Sequence, residues 1–121
     1  MKKIMIVDDS PTILSVMKKY LSNSGYQVET VVDSGTFFDG RAEAFHPDLL
    51  IIDINMPQYD GFYLLEHLKK KNLFPGAKVI MCSTKFFDHD IAAAKDLGAD
   101  DFLVKPFNDK QLIEKISSIL G

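Results

Sequence analysis

The sequence predicts an α/β domain with a doubly wound, five-stranded parallel sheet. Three features point to it: five short runs of β-branched and other apolar residues, helical periodicity between and after them, and capping or turn residues at the junctions. The first, third and fourth runs are almost continuously apolar, as strands covered on both faces must be.

Ile4–Val7 is the first strand. Ser10 before Pro11 is an N-cap and first-turn pair, and Ile13, Leu14, Met17 and Leu21 then recur on one helical face until Gly25 stops the helix. Gln27–Val32 is the second strand. Residues 34–45 are assigned to a second helix, although Gly40 interrupts the pattern and the apolar positions reduce to Phe37, Phe38 and Phe45. Leu49–Ile52 forms the third strand, and Leu64, Leu65 and Leu68 mark the helix that follows. Lys78–Cys82 is the fourth strand; Phe86 and Phe87 open the fourth helical segment, one of them placed in the core. Asp101–Val104 is the fifth strand, and Asn108 before Asp109 caps a last helix whose apolar face is Leu112, Ile113, Ile116 and Ile119.

A chain of 121 residues, 46% of them hydrophobic, supports one compact core and not two, so a single domain over residues 1–121 is expected, with no room for an output domain. Net charge is −3 and no like-charge run exceeds Lys69–Lys71, so direct nucleic-acid binding is not expected. The apolar run after Lys2 and Lys3 ends at Asp8, too short for a signal-peptide core, and no later stretch is long enough to span a bilayer. The expectation is a cytoplasmic protein with no membrane contact. Cys82 is the only cysteine, which excludes an intrachain disulfide and suits a reducing compartment; it reads as a small core residue.

Placed on this frame, the chemistry-bearing residues collect at carboxyl ends of strands: Asp8 and Asp9 after the first, Asp53 after the third, Ser83 and Thr84 after the fourth, and Lys105 after the fifth. In an open α/β sheet that edge is where ligands bind. Carboxylates crowded into one crevice repel one another and favour a bound cation, and an all-oxygen ligand set favours a hard ion such as magnesium. Zinc is disfavoured, because His46, His67 and His89 fall on different helices or loops. A carboxylate, a magnesium ion and a lysine around one space suit phosphoryl transfer, with the carboxylate attacking phosphorus and the cations stabilising the equatorial oxygens. Singly these signals are weak: paired aspartates often cap helices, and a strand-end aromatic such as Phe102 is ordinarily core. Their conjunction at the ends of four strands carries the reading.

Together the segments Ile6-Val7-Asp8-Asp9-Ser10, Asp53-Ile54-Asn55-Met56-Pro57 with Asp60-Gly61, Val79 to Ser83, and Phe102-Leu103-Val104-Lys105-Pro106-Phe107 resemble the receiver domains of bacterial two-component response regulators. The resemblance covers the whole chain. It implies a flavodoxin-like, CheY-like sheet with strand order 2-1-3-4-5. It implies that Asp53 is the phosphoacceptor, that Asp8, Asp9, Asp53 and the backbone carbonyl of Asn55 hold magnesium (manganese able to substitute), and that Lys105 binds a phosphoryl oxygen. Ser83 and Phe102 would be the switch pair, the hydroxyl moving toward the phosphoryl group and the ring turning inward behind it. The Lys105-Pro106 bond is expected to be cis.

The implied function is two-component signal transduction. A sensor histidine kinase or histidine phosphotransfer protein supplies the phosphoryl group, and the surface around the fourth and fifth helices, roughly Phe86 to Leu97 and Phe102 to Leu120, changes for an unidentified downstream protein. The implied state is a monomer or a weak phosphorylation-dependent dimer. Thr84 departs from the pattern, standing where the family usually has alanine or glycine, and Lys85 and Asn55 occupy positions that tune phosphoryl lifetime. Two other classes are weighed. An aspartate-nucleophile phosphatase of small phosphomonoesters would need a second acid where this chain has Asn55, and a flavin-binding carrier would need a phosphate-cradling loop where this chain has Asp8 and Asp9.

Overall fold

The computed structural model describes residues 1–121. Five strands, β1 (Lys3–Val7), β2 (Gln27–Val31), β3 (Leu49–Asp53), β4 (Lys78–Ser83) and β5 (Asp101–Val104), alternate with α1 (Pro11–Asn23), α2 (Arg41–Phe45), α3 (Gly61–Lys70), α4 (Asp88–Asp96) and α5 (Asp109–Leu120). All strand pairs are parallel and the order is β2-β1-β3-β4-β5, the doubly wound arrangement expected.

The two-residue period of the strands sorts the apolar side chains between two cores. Met5, Val7, Leu50, Ile52, Val79 and Met81 face one side with Leu64, Leu65 and Leu68 of α3 and Ala94 of α4. Ile4, Ile6, Leu49, Ile51, Ile80 and Cys82 face the other with Leu14, Met17 and Leu21 of α1 and Leu112 and Ile116 of α5. Burial on both faces explains why β1, β3 and β4 read as unbroken apolar runs.

The caps fix where helices begin. Ser10 Oγ accepts from the Ile13 amide at 3.3 Å, Asp60 Oδ1 from Tyr63 at 2.9 Å, and Asn108 Oδ1 from Gln111 at 2.8 Å. At α4 the arrangement is reversed, because Phe87 has no polar side chain: Asp90 Oδ2 accepts from the Phe87 amide at 3.0 Å. α1 runs out at Ser24 and is followed by Gly25 at φ 91°, a left-handed turn that glycine adopts without strain.

Residues 34–45 differ from expectation. They form a 3₁₀ turn (Ser34–Phe38) and then the five-residue α2, with Gly40 at φ 97° between them. The left-handed glycine breaks the hydrogen-bond ladder, so a single helix cannot pass through it. β3 and β4 each extend one residue further than the periodicity indicates, taking Asp53 and Ser83 into the sheet. Of the two phenylalanines before α4, Phe86 packs against the Phe102 ring at 5.3 Å, whereas Phe87 is 51% exposed. No helix is long and apolar enough to cross a membrane.

Candidate functional site

Parallel pairing puts the carboxyl ends of all five strands on one edge, and neighbouring registers decide which side chains meet there. Val7 pairs with Ile52 and Asp53 with Cys82, so the residues after β1 and at the end of β3 come together. Asp8 is held by its own neighbours: its amide donates to the Val31 carbonyl at 3.1 Å, and its Oδ1 accepts from the Ser10 amide at 3.0 Å. The turn into α1 thus aims one carboxylate inward. Asp8 and Asp53 are buried, while Asp9 is exposed at the rim.

One carboxylate oxygen from each of Asp8, Asp9 and Asp53 lies within 4.8 Å of the others. Lys105 Nζ donates to Asp8 Oδ2 at 2.6 Å and to Asp53 Oδ1 at 3.2 Å. Its position follows from the edge of the sheet, where the Lys105 amide donates to the Ser83 carbonyl at 2.8 Å. The Lys105-Pro106 bond is cis. Three carboxylates against one ammonium leave the crevice with surplus negative charge. Burial, followed by repulsion from Asp8, pushes the Asp53 carboxyl up to about 6, Lys105 opposing both. Burial is the largest single influence on Lys105 and lowers it, but the hydrogen bond to Asp8 and the charges of Asp53 and Asp8 together outweigh it, so Lys105 is raised. Cys82, buried beside this site, is pushed up to about 12 by burial and is an inert thiol.

The donors suit a hard divalent cation. They are all oxygens, they converge, their charge is only partly neutralised within the protein, and the exposed Asp9 leaves room for water ligands. No histidine or cysteine belongs to the cluster.

Ser83, buried at the end of β4, donates to the Lys85 carbonyl at 3.1 Å and accepts from Asn55 Nδ2 at 3.3 Å. The loop after β3 and the loop after β4 are therefore joined through one hydroxyl. Thr84 is exposed and lines an apolar depression with Ile13, Val16, Lys105, Pro106 and Phe107. Phe102 is not part of the carboxylate cluster; it is half-buried and edge-on to Phe86.

Gly61 belongs to the site in a way the sequence reading did not include. Its amide donates to the Ile54 carbonyl at 2.8 Å, and a Cβ there would lie 2.6 Å from the Asp53 carbonyl oxygen and 2.8 Å from Ile54 Cα. Only glycine lets α3 begin against the backbone that carries Asp53. The Asp60-Gly61 pair was legible as a helix start, but the close approach depends on tertiary placement.

The response regulator receiver domain profile matches residues 4–117. The chain is 34% identical to the regulatory protein VanRc of Enterococcus gallinarum over 119 residues, covering 98% of this chain and 50% of that protein. It is 33% identical to the alkaline phosphatase synthesis transcriptional regulatory protein PhoP of Bacillus subtilis, covering 98% of this chain and 48% of that protein. The chain thus spans about half the length of these relatives. The chemotaxis protein CheY4 of Vibrio cholerae superimposes with a TM-score of 0.91 at 30% identity, covering 98% of both chains.

Proposed function

The chain belongs to the response regulator receiver domain family, and on that footing we propose that Asp53 accepts a phosphoryl group and so switches the protein between two surfaces. The observation that carries this reading is the burial of Asp53 at the end of β3, within a carboxylate cluster and 3.2 Å from Lys105 Nζ. A carboxylate with that neighbour is a nucleophile with a cation poised where the incoming phosphoryl oxygens would sit.

Asp8, Asp9, Asp53 and the Asn55 carbonyl would hold magnesium, which when bound offsets charge on the transferring phosphoryl group. In the transfer itself an Asp53 oxygen forms the new bond to phosphorus as the bond to the donor breaks, and the electron pair stays with the donor. Lys105, now shared between Asp8 and Asp53, moves its ammonium onto a phosphoryl oxygen. That oxygen is also a stronger acceptor for Ser83 than the neutral Lys85 carbonyl it now uses. Ser83 would then leave Lys85 and Asn55, and the Phe102 ring would follow into the space behind it. The changed surface is that of α4, β5 and α5.

The donor would be a sensor histidine kinase or histidine phosphotransfer protein and the receiver of the signal a further protein, with the exchange taking place in the cytoplasm. The chain would turn over no free substrate, catalysing only its own phosphorylation and dephosphorylation. Incubation with acetyl phosphate, with and without Mg²⁺, followed by intact mass, tests the chemistry. One added phosphoryl group requiring both Mg²⁺ and Asp53 is expected, and none on Asp53→Ala. Absence of any adduct, together with failure to bind beryllofluoride, would overturn the reading.

A further inference from the structure

Buried polar side chains cost free energy unless they are paired, so each needs a reason. The molecule has Asp8, Asp53, Ser83 and Ser34. The first three line the site. Ser34, 2% exposed, stands apart on the 3₁₀ turn after β2.

Both partners of its hydroxyl lie on the loop between β3 and α3. Ser34 Oγ donates to the Pro57 carbonyl at 2.9 Å and accepts from the Tyr59 amide at 3.1 Å. Those two groups flank Gln58, whose φ of 71° is in the left-handed region that residues other than glycine disfavour. A loop that bends this way needs its conformation held from outside, and Ser34 grips it on both sides of the bend. The Gln58 side chain also lies over Gly35, where a Cβ would come within 2.5 Å of its Oε1. The turn bearing Ser34 is itself pinned, since Asp33 Oδ1 accepts from the Gly35 amide at 2.9 Å and Thr36 Oγ1 donates to the Asp33 carbonyl at 2.8 Å. The braced stretch begins two residues after Asn55, and Asp9 borders the same surface depression as Asp33, Ser34, Pro57 and Gln58.

We infer that Ser34 is a positioning residue for cation binding: it anchors the β3–α3 loop to the β2 end of the sheet and so presents the Asn55 carbonyl to a metal held by Asp8, Asp9 and Asp53. This rests on the proposed role of the Asn55 carbonyl as a metal ligand. An exact carbonyl position matters because magnesium tolerates little departure from octahedral geometry.

The test is Mg²⁺ titration of the wild type, Ser34→Ala and Ser34→Cys by calorimetry, with Ser24→Ala as a control that removes an exposed serine hydrogen bond, to the Tyr20 carbonyl at 3.1 Å, away from the loop and its brace. Cysteine nearly matches the volume of serine but bonds weakly, so it guards against a folding failure of the alanine variant. Both Ser34 variants are expected to bind Mg²⁺ about tenfold more weakly, the range seen when groups behind metal ligands are removed. Acetyl phosphate should modify them with a raised Mg²⁺ requirement but an unchanged rate at saturating Mg²⁺, and hydrogen exchange at the Tyr59 amide should quicken. Ser24→Ala should lower the melting temperature slightly without moving Mg²⁺ affinity. Wild-type Mg²⁺ affinity in either folded Ser34 variant would overturn the inference. If the wild type itself bound no Mg²⁺, the metal site of the proposed function would fall, and the inference with it.

Discussion

Asp53 has an environment that works against its own charge. The carboxyl is raised from 3.8 to about 6, first by burial and then by Asp8, with Lys105 only partly compensating. A carboxyl raised on folding binds its proton more tightly in the folded state, so ionising it destabilises the fold; the penalty is absent below about pH 3.8, grows as pH rises, and is complete above about 6. In buffer stripped of divalent cations, Asp53→Asn should therefore melt at a higher temperature than wild type at pH 7.5, and the difference should shrink toward pH 4. Scanning calorimetry across that range checks it, and a constant difference would mean that charge is not the cause. Lys105 keeps its 2.6 Å bond to Asp8 in this variant, so no buried ammonium is left unpaired.

At the scale of single elements, α3 is the most constrained by the site. Asp60 caps it and Gly61 starts it against the backbone of Asp53 and Ile54, two demands met by adjacent residues. They should separate by experiment. Asp60→Ala removes one hydrogen bond at an exposed helix end and should cost about 1 kcal/mol in urea unfolding, with phosphorylation of Asp53 little changed. Gly61→Ala drives a methyl into backbone atoms that cannot rotate away, so about 1–3 kcal/mol should be lost, and the end of β3 should move with it. Slower phosphorylation is expected for Gly61→Ala alone. α4 contrasts with α3: Ala94 is its only buried residue, and Phe87, beneath the Lys85 ammonium at 4.7 Å, stays on the surface. An element so lightly anchored can shift at small cost, which suits the surface proposed to change.

Across the whole molecule, one sheet separates two cores that share no side chains. Leu65 belongs to the core under α3 and Ile116 to the core under α5, and both are fully buried. Truncating either to alanine should cost about 2–5 kcal/mol. Because the sheet lies between them, Leu65→Ala and Ile116→Ala should add in the double variant to within about 0.5 kcal/mol. Both should nevertheless unfold in a single transition, since strands buried on both faces tie the layers together. A double variant far from additive in denaturant would show that the layers communicate through the sheet.

The sequence by itself determined the layering and the place of the chemistry. Continuous apolar runs at Ile4–Val7 and Leu49–Ile52 have no stable use except as strands covered on both sides, and parallel strands leave their carboxyl ends, with Asp8, Asp53, Ser83 and Lys105, on a common edge. Capping at Ser10 and Asn108 was legible for the same reason, being a matter of bonds within a few residues. Residues 34–45 were not, because local preference there is weak and Gly40 takes a left-handed conformation that only its surroundings select. Tertiary structure alone decided that Lys105 bridges Asp8 and Asp53, that Asn55 reaches Ser83, that Gly61 must lack a side chain, and that Ser34 grips the loop beyond Pro57. Each of these joins groups far apart in the chain or backbones brought close by packing. No periodicity or local propensity records such contacts, since they exist only once the sheet has set the distances between its ends.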